Sequence, residues 1–187
     1  MSTNCKGCFL LWCITWLACT TIQAQLMQCE RGVVTFKSDA PLEIIQARSD
    51  QLRGVLDLHS RNFAFSVELR SFEGFNNPLQ REHFNENYLE SDRYPTATFV
   101  GKIIEPIRGL SDGNYTWRAK GLLTVHGISQ ERIIKNTVRI EAGVLYIESL
   151  FTVAVADHDI AIPRIVQQKI ATAIRVQVSA SFRSPDQ

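Results

Sequence analysis

Long stretches of strict two-residue alternation are what most constrain the fold of this chain. In Phe63–Arg70, the side chains of Phe63, Phe65, Val67 and Leu69 share one face, while Ser66, Glu68 and Arg70 share the other. That is a strand with one dry side and one wet side. Tyr115 to Val125 repeats the arrangement, with Tyr115, Trp117, Ala119, Leu123 and Val125 opposite Arg118, Lys120 and Thr124. Extended, that segment spans about 35 Å, long for a globular strand. Leu145, Ile147, Phe151, Val153 and Val155 line a third such face. Ile174, Val176, Val178, Ala180 and Phe182 form a fourth, alternating with Arg175, Gln177, Ser179, Ser181 and Arg183.

Shorter segments complete the pattern. Gly32 to Phe36, Gly54 to Leu58, Thr96 to Ile104 and Ile133 to Ile140 read as strands. Turns are expected at Ser38–Pro41, His126-Gly127 and Glu141–Gly143. Leu42 to Arg48 suits a helical turn or a strand equally, and Ile165 to Ile170 suits a brief helix. One helix interrupts the sheet around residues 78–90. Pro78 opens it, Leu79, His83, Phe84 and Tyr88 give it a partly apolar face, and Pro95 bars its continuation. About eight antiparallel strands with hairpin-sized connections suit a closed up-and-down β-barrel, although a sandwich meets the same pattern. Closure also removes edge strands, which a chain without disulfides has reason to avoid.

The first 24 residues stand apart. Lys6 is their only charge, Gly7 to Cys19 is apolar, and Ile22-Gln23-Ala24 offers a cleavage site ahead of Gln25. This is the layout of a signal peptide, and the apolar run is short for a membrane span. Leu17-Ala18-Cys19 offers a second reading, a lipoprotein anchored through Cys19. Residues 25–187 form one domain with no membrane span, placed in the periplasm or secreted. Loss of Lys6 leaves nineteen basic against nineteen acidic residues. A neutral domain has no electrostatic funnel for nucleic acid. Four of the five cysteines precede the cut, so Cys29 has no partner in its own chain, and a homodimer stays open.

Two motifs carry a resemblance. His83-Phe84-Asn85-Glu86-Asn87-Tyr88-Leu89-Glu90-Ser91-Asp92-Arg93-Tyr94-Pro95-Thr96-Ala97-Thr98-Phe99 and then Gly121-Leu122-Leu123-Thr124-Val125-His126-Gly127 are similar to the centre of the YceI-like family, the lipocalin-like polyisoprenoid-binding proteins of the bacterial periplasm. The similarity runs from about Gly32 to Phe182. It implies a lipocalin-like all-β barrel and an isoprenoid chain, of polyprenyl or isoprenoid-quinone type, held inside.

The residues expected to line that space are Phe63, Phe65, Val67, Leu69, Phe84, Tyr88, Phe99, Tyr115, Trp117, Ala119, Leu123, Phe151, Val153, Ile174 and Val176. The same side chains could instead fill a solid core. Ala119 and Gly121 argue for open space, because they supply little bulk where a filled core needs it. His83, Asn85, Asn87 and Tyr88 are candidates for the rim or lid that meets a headgroup.

Catalytic and metal constellations are weak. Asp157-His158-Asp159 could converge only in an irregular loop, and His59 and His126 lack a second ligand at metal spacing. His83 and Glu86 could share a helical face, but two ligands make no site. No catalytic residue, cofactor or metal is expected. The competing readings are an enzyme acting on the lipid through His83 or Asp157–Asp159, an outer-membrane barrel with its apolar faces outward, and a stress-response protein binding fatty acids or other amphiphiles.

Overall fold

The structure, a computed structural model, describes residues 26–107 and 111–183. The expected signal peptide and Cys19 lie outside the described residues. Among the described residues, nine antiparallel strands form one sheet: β1 (Leu26–Asp39), β2 (Ile44–Ser49), β3 (Arg53–Asp57), β4 (Asn62–Glu68), β5 (Thr96–Ile103), β6 (Gly113–Val125), β7 (Ile128–Glu141), β8 (Val144–Ala154) and β9 (Ala173–Arg183). The start of β1 pairs with β3 through Leu26–Gln28, while Gln28–Lys37 pairs with β9. Those two pairings close β1 and β3–β9 into an eight-stranded barrel of lipocalin-like, all-β type. β2 is an extra strand beside the later half of β1, Val34 opposite Ser49 through Asp39 opposite Ile44.

Several expectations about boundaries shift. β1 is far longer than Gly32–Phe36 and absorbs a bulge between Cys29 and Arg31. Leu42–Arg48, left open above, supplies most of β2. Leu69 leaves β4 for a 3-10 turn (Leu69–Ser71) yet stays buried, and Val155 does the same beyond β8. The brief helix expected over Ile165–Ile170 is only a 3-10 turn, Arg164–Val166. Both central hairpins turn on two residues in left-handed backbone, His126-Gly127 (φ 50° and 73°) and Ala142-Gly143 (49° and 74°). Two consecutive positive φ angles match the twist of the flanking strands.

The apolar rows point inward, and Arg118, Lys120, Arg139, Glu148 and Arg175 point outward. One end of the barrel is packed shut. Phe182 and Val138 are wholly buried there, with Met27, Leu56 and Leu145 almost so. The other end carries the helical insert and the irregular loops.

Candidate functional site

Between the packed floor and the insert lies a cavity of ≈ 520 Å³. That is within the range of sites that enclose a small organic ligand. Its walls are mostly aliphatic and aromatic, so it is suited to a ligand without charge along its length. Phe63, Phe65, Val67, Leu69, Phe84, Tyr88, Phe99, Trp117, Ala119, Leu123, Phe151, Val153, Ile174 and Val176 all face it. Tyr115 does not. It sits opposite wholly buried Val138, at floor level, with its hydroxyl donating to the Ser111 carbonyl at 2.9 Å.

Gly121 also departs from expectation. It lies opposite Gly101, and a Cβ on Gly121 would stand 2.4 Å from the Val100 carbonyl oxygen. The missing side chain therefore lets β5 and β6 approach each other closely in the wall. It adds no space to the cavity, whereas Ala119 does border it.

The insert covers the open end. Asn77 caps α1 (Pro78–His83), accepting from the Gln80 backbone N–H at 2.9 Å, and the Gln80 side chain accepts from the Asn76 N–H at 3.1 Å. The first contact satisfies a donor that the first turn leaves free, and the second fixes the residue before the cap. The helix then widens into a π-helical turn, Phe84–Tyr88. Phe84, the first residue of that turn, joins an aromatic cluster, stacked on Phe36 (5.2 Å) and against Phe75 (5.2 Å) and Phe72 (5.9 Å). Tyr88 lies beside it, with burial pushing its phenol pKa up. Glu43, Asn77, Gln80, His83 and Lys169 form the polar rim.

Of the four rim candidates, His83 and Tyr88 border the cavity. Asn85 does not: it donates to the Arg81 carbonyl (2.9 Å) and accepts from the Ser91 hydroxyl (2.8 Å), which ends the helix. Asn87 is exposed and points away.

His126 ties the insert to the barrel. Its Nε2 lies 2.6 Å from the Glu90 carboxylate and its Nδ1 3.1 Å from the His158 carbonyl, with Tyr94 packed edge-on against the ring. Both ring nitrogens thus face oxygen acceptors, one on the insert and one on the loop after β8.

The Asp157–Asp159 segment does not converge. Asp157 pairs outward with Arg132 at 2.5 Å, His158 is wholly buried with Nδ1 donating to the Ile128 carbonyl at 3.0 Å, and Asp159 is exposed. Exposed His59 follows Asp57, whose carboxylate accepts the His59 N–H as part of a turn. Among the described residues there is no group of three or more His, Cys, Asp or Glu placed to hold a metal.

Several lining residues went unrecognised in the sequence, among them Phe36, Phe72 and Phe75 at the mouth and two polar side chains of the wall. Asn136 on β7 and Ser149 on β8 stand opposite each other and interrupt apolar rows. The signal was present: Ser149 occupies the inward position between Ile147 and Phe151.

Comparison with known proteins bears on this architecture. A polyisoprenoid-binding domain from Saccharophagus degradans, implicated in plant cell wall breakdown, superposes with TM-score 0.72 at 14% identity, covering 87% of this chain and 100% of that one. BcnA of Burkholderia cenocepacia gives 0.66 at 14%, covering 80% and 95%. A Campylobacter jejuni YceI protein gives 0.55 at 14%, covering 71% and 81%. At such identities these likenesses speak for the fold alone. No curated protein matches by sequence. The profile of the YceI-like domain, however, matches residues 27–182, and the chain belongs to the YceI-like family.

Proposed function

We propose that this protein holds a long apolar chain of isoprenoid type inside the barrel and acts as a binding protein, not as an enzyme. The observation that carries the reading is the ≈ 520 Å³ apolar cavity, shut at the floor and rimmed with polar groups where the insert covers it. Polyisoprenoid binding by the Saccharophagus degradans domain of the same fold supports it. Each isoprene unit buried contributes roughly 3–4 kcal/mol, at about 0.8 per carbon. A few units therefore outweigh the ordering cost of association. A bulky or charged headgroup fits only at the rim, near His83, Gln80 and Lys169, because the floor is closed. The divergent directions of Asp157, His158 and Asp159 argue against chemistry on the lipid. We further read residues 1–24 as an export signal cut after Ala24, with lipidation of Cys19 as the alternative, which places the domain in the periplasm or outside the cell.

The test is a titration with prenyl lipids of increasing length. Affinity should climb with each added unit until the cavity is full, and Ala119→Phe, which fills the middle, should abolish the climb. Affinity indifferent both to length and to Ala119→Phe would overturn the reading.

A further inference from the structure

We propose that Asn136 and Ser149 form a hydroxyl-selective subsite deep in the barrel, and that the favoured occupant is a free long-chain alcohol lying hydroxyl-inward. This rests on the reading of the barrel as the seat of an apolar chain, and it names the class of chain. Asn136 stands opposite Trp117 on β6 and Ser149 on β8. Lys135, Thr137, Glu148 and Leu150 point outward, so Asn136 and Ser149 point in, and both border the cavity. Asn136 is only partly buried, which leaves its amide reachable from inside. Its level, shared with Trp117 and Ser149, is one inward step above that of Val138 and Ile147, close over the packed floor.

The hydrogen bonds determine what this pair can still accept. Asn136 Nδ2 lies 3.1 Å from the Trp117 carbonyl and 3.0 Å from the Ile134 carbonyl. Carbonyls only accept, so the nitrogen must be on that side and both of its N–H groups are taken. Oδ1 then faces Ser149, whose hydroxyl proton is donated to it. Every donor of the pair is used, and only lone pairs on Oδ1 and Oγ remain. A hydrocarbon end leaves those lone pairs without a partner in apolar surroundings, which is unfavourable. A quinone carbonyl, a carboxylate or a phosphate ester brings further lone pairs and meets repulsion. An alcohol brings a proton and little bulk. It is therefore the polar end that can travel down an apolar bore and be satisfied at its end.

The experiment is calorimetric titration of the protein with geranylgeraniol and with its methyl ether, which share a chain and differ in the O–H. The alcohol should bind roughly five- to tenfold more tightly, the worth of one net hydrogen bond. Asn136→Leu should erase the difference, because the freed Ser149 hydroxyl can donate to either ligand oxygen. Ser149→Ala, the smaller change, should keep or widen it, because Oδ1 loses its proton donor. Equal affinities in the unaltered protein overturn the subsite while leaving the carrier reading intact. So does a preference that survives Asn136→Leu, which would put the hydroxyl at the rim, or one that vanishes in Ser149→Ala. Failure of both probes to bind removes the carrier reading and this proposal with it.

Discussion

The two ends of the barrel are built by different means. At the floor, regular strands bring Phe182, Val138, Leu145, Leu56 and Met27 together with almost no exposure. At the mouth, half-buried Phe36, Phe75, Phe84 and Tyr88 are held by a short helix, a π-helical turn and 3-10 turns, tied down by side-chain hydrogen bonds. The floor lives on packing, the mouth on a handful of polar anchors. A carrier needs this division, since one end must stay shut while the other admits a chain.

The contrast is broken most directly by comparing Phe182→Ala with Phe84→Ala. The floor variant should lose about 3–5 kcal/mol in denaturant unfolding. The mouth variant should lose much less, about 1–2 kcal/mol, because its ring is already half solvated, but should release prenyl lipid faster. Equal losses would mean the two ends are packed alike. Next in size is Gly101→Ala on the wall between them. Its Cβ would sit 2.1 Å from the Lys120 carbonyl oxygen, backbone that cannot give way cheaply, so a loss of about 1–3 kcal/mol is expected in the same measurement.

Glu90→Gln sharpens the comparison at the mouth. It removes the carboxylate from His126 Nε2, and half-exposure of Glu90 limits the loss to about 1 kcal/mol or less. Amide exchange should quicken across residues 84–94 and stay unchanged in β7–β9; uniform quickening would contradict a local anchor. The smallest effect is chemical. Cys29 pairs with Phe182 at the floor end, and burial pushes its thiol pKa above the ordinary value. Thiolate is then scarce at pH 8, and alkylation should lag behind a free thiol and keep accelerating as pH rises past 9. Reaction at the free-thiol rate at pH 8 would show that this end is open.

The same division explains what could be read in the sequence. β4, β6, β8 and β9 announce themselves by period, since a wall with one dry face must alternate. The helix announces itself through Asn77, Pro78 and the stop at Pro95. β2 did not, because Leu42 and Ile44 are exposed while Ile45 and Ala47 face inward, putting apolar residues on both sides. Gly121 misled because a missing side chain can mean a hollow or a close approach, and only its register against Gly101 decides. Tyr115 shares a face with Trp117 but lies one step nearer the floor, and height along a barrel depends on strand stagger that no single strand encodes. Asn136 and Ser149 were passed over because a search for apolar rows discards the polar residues that interrupt them.

The central claim is that the hollow above the floor is occupied in the cell by a prenyl chain. Native mass spectrometry of protein purified gently from its producing cell tests it most directly. The account predicts a bound mass that organic extraction releases as a polyprenyl lipid; a clean mass of the bare polypeptide under the same conditions would contradict it.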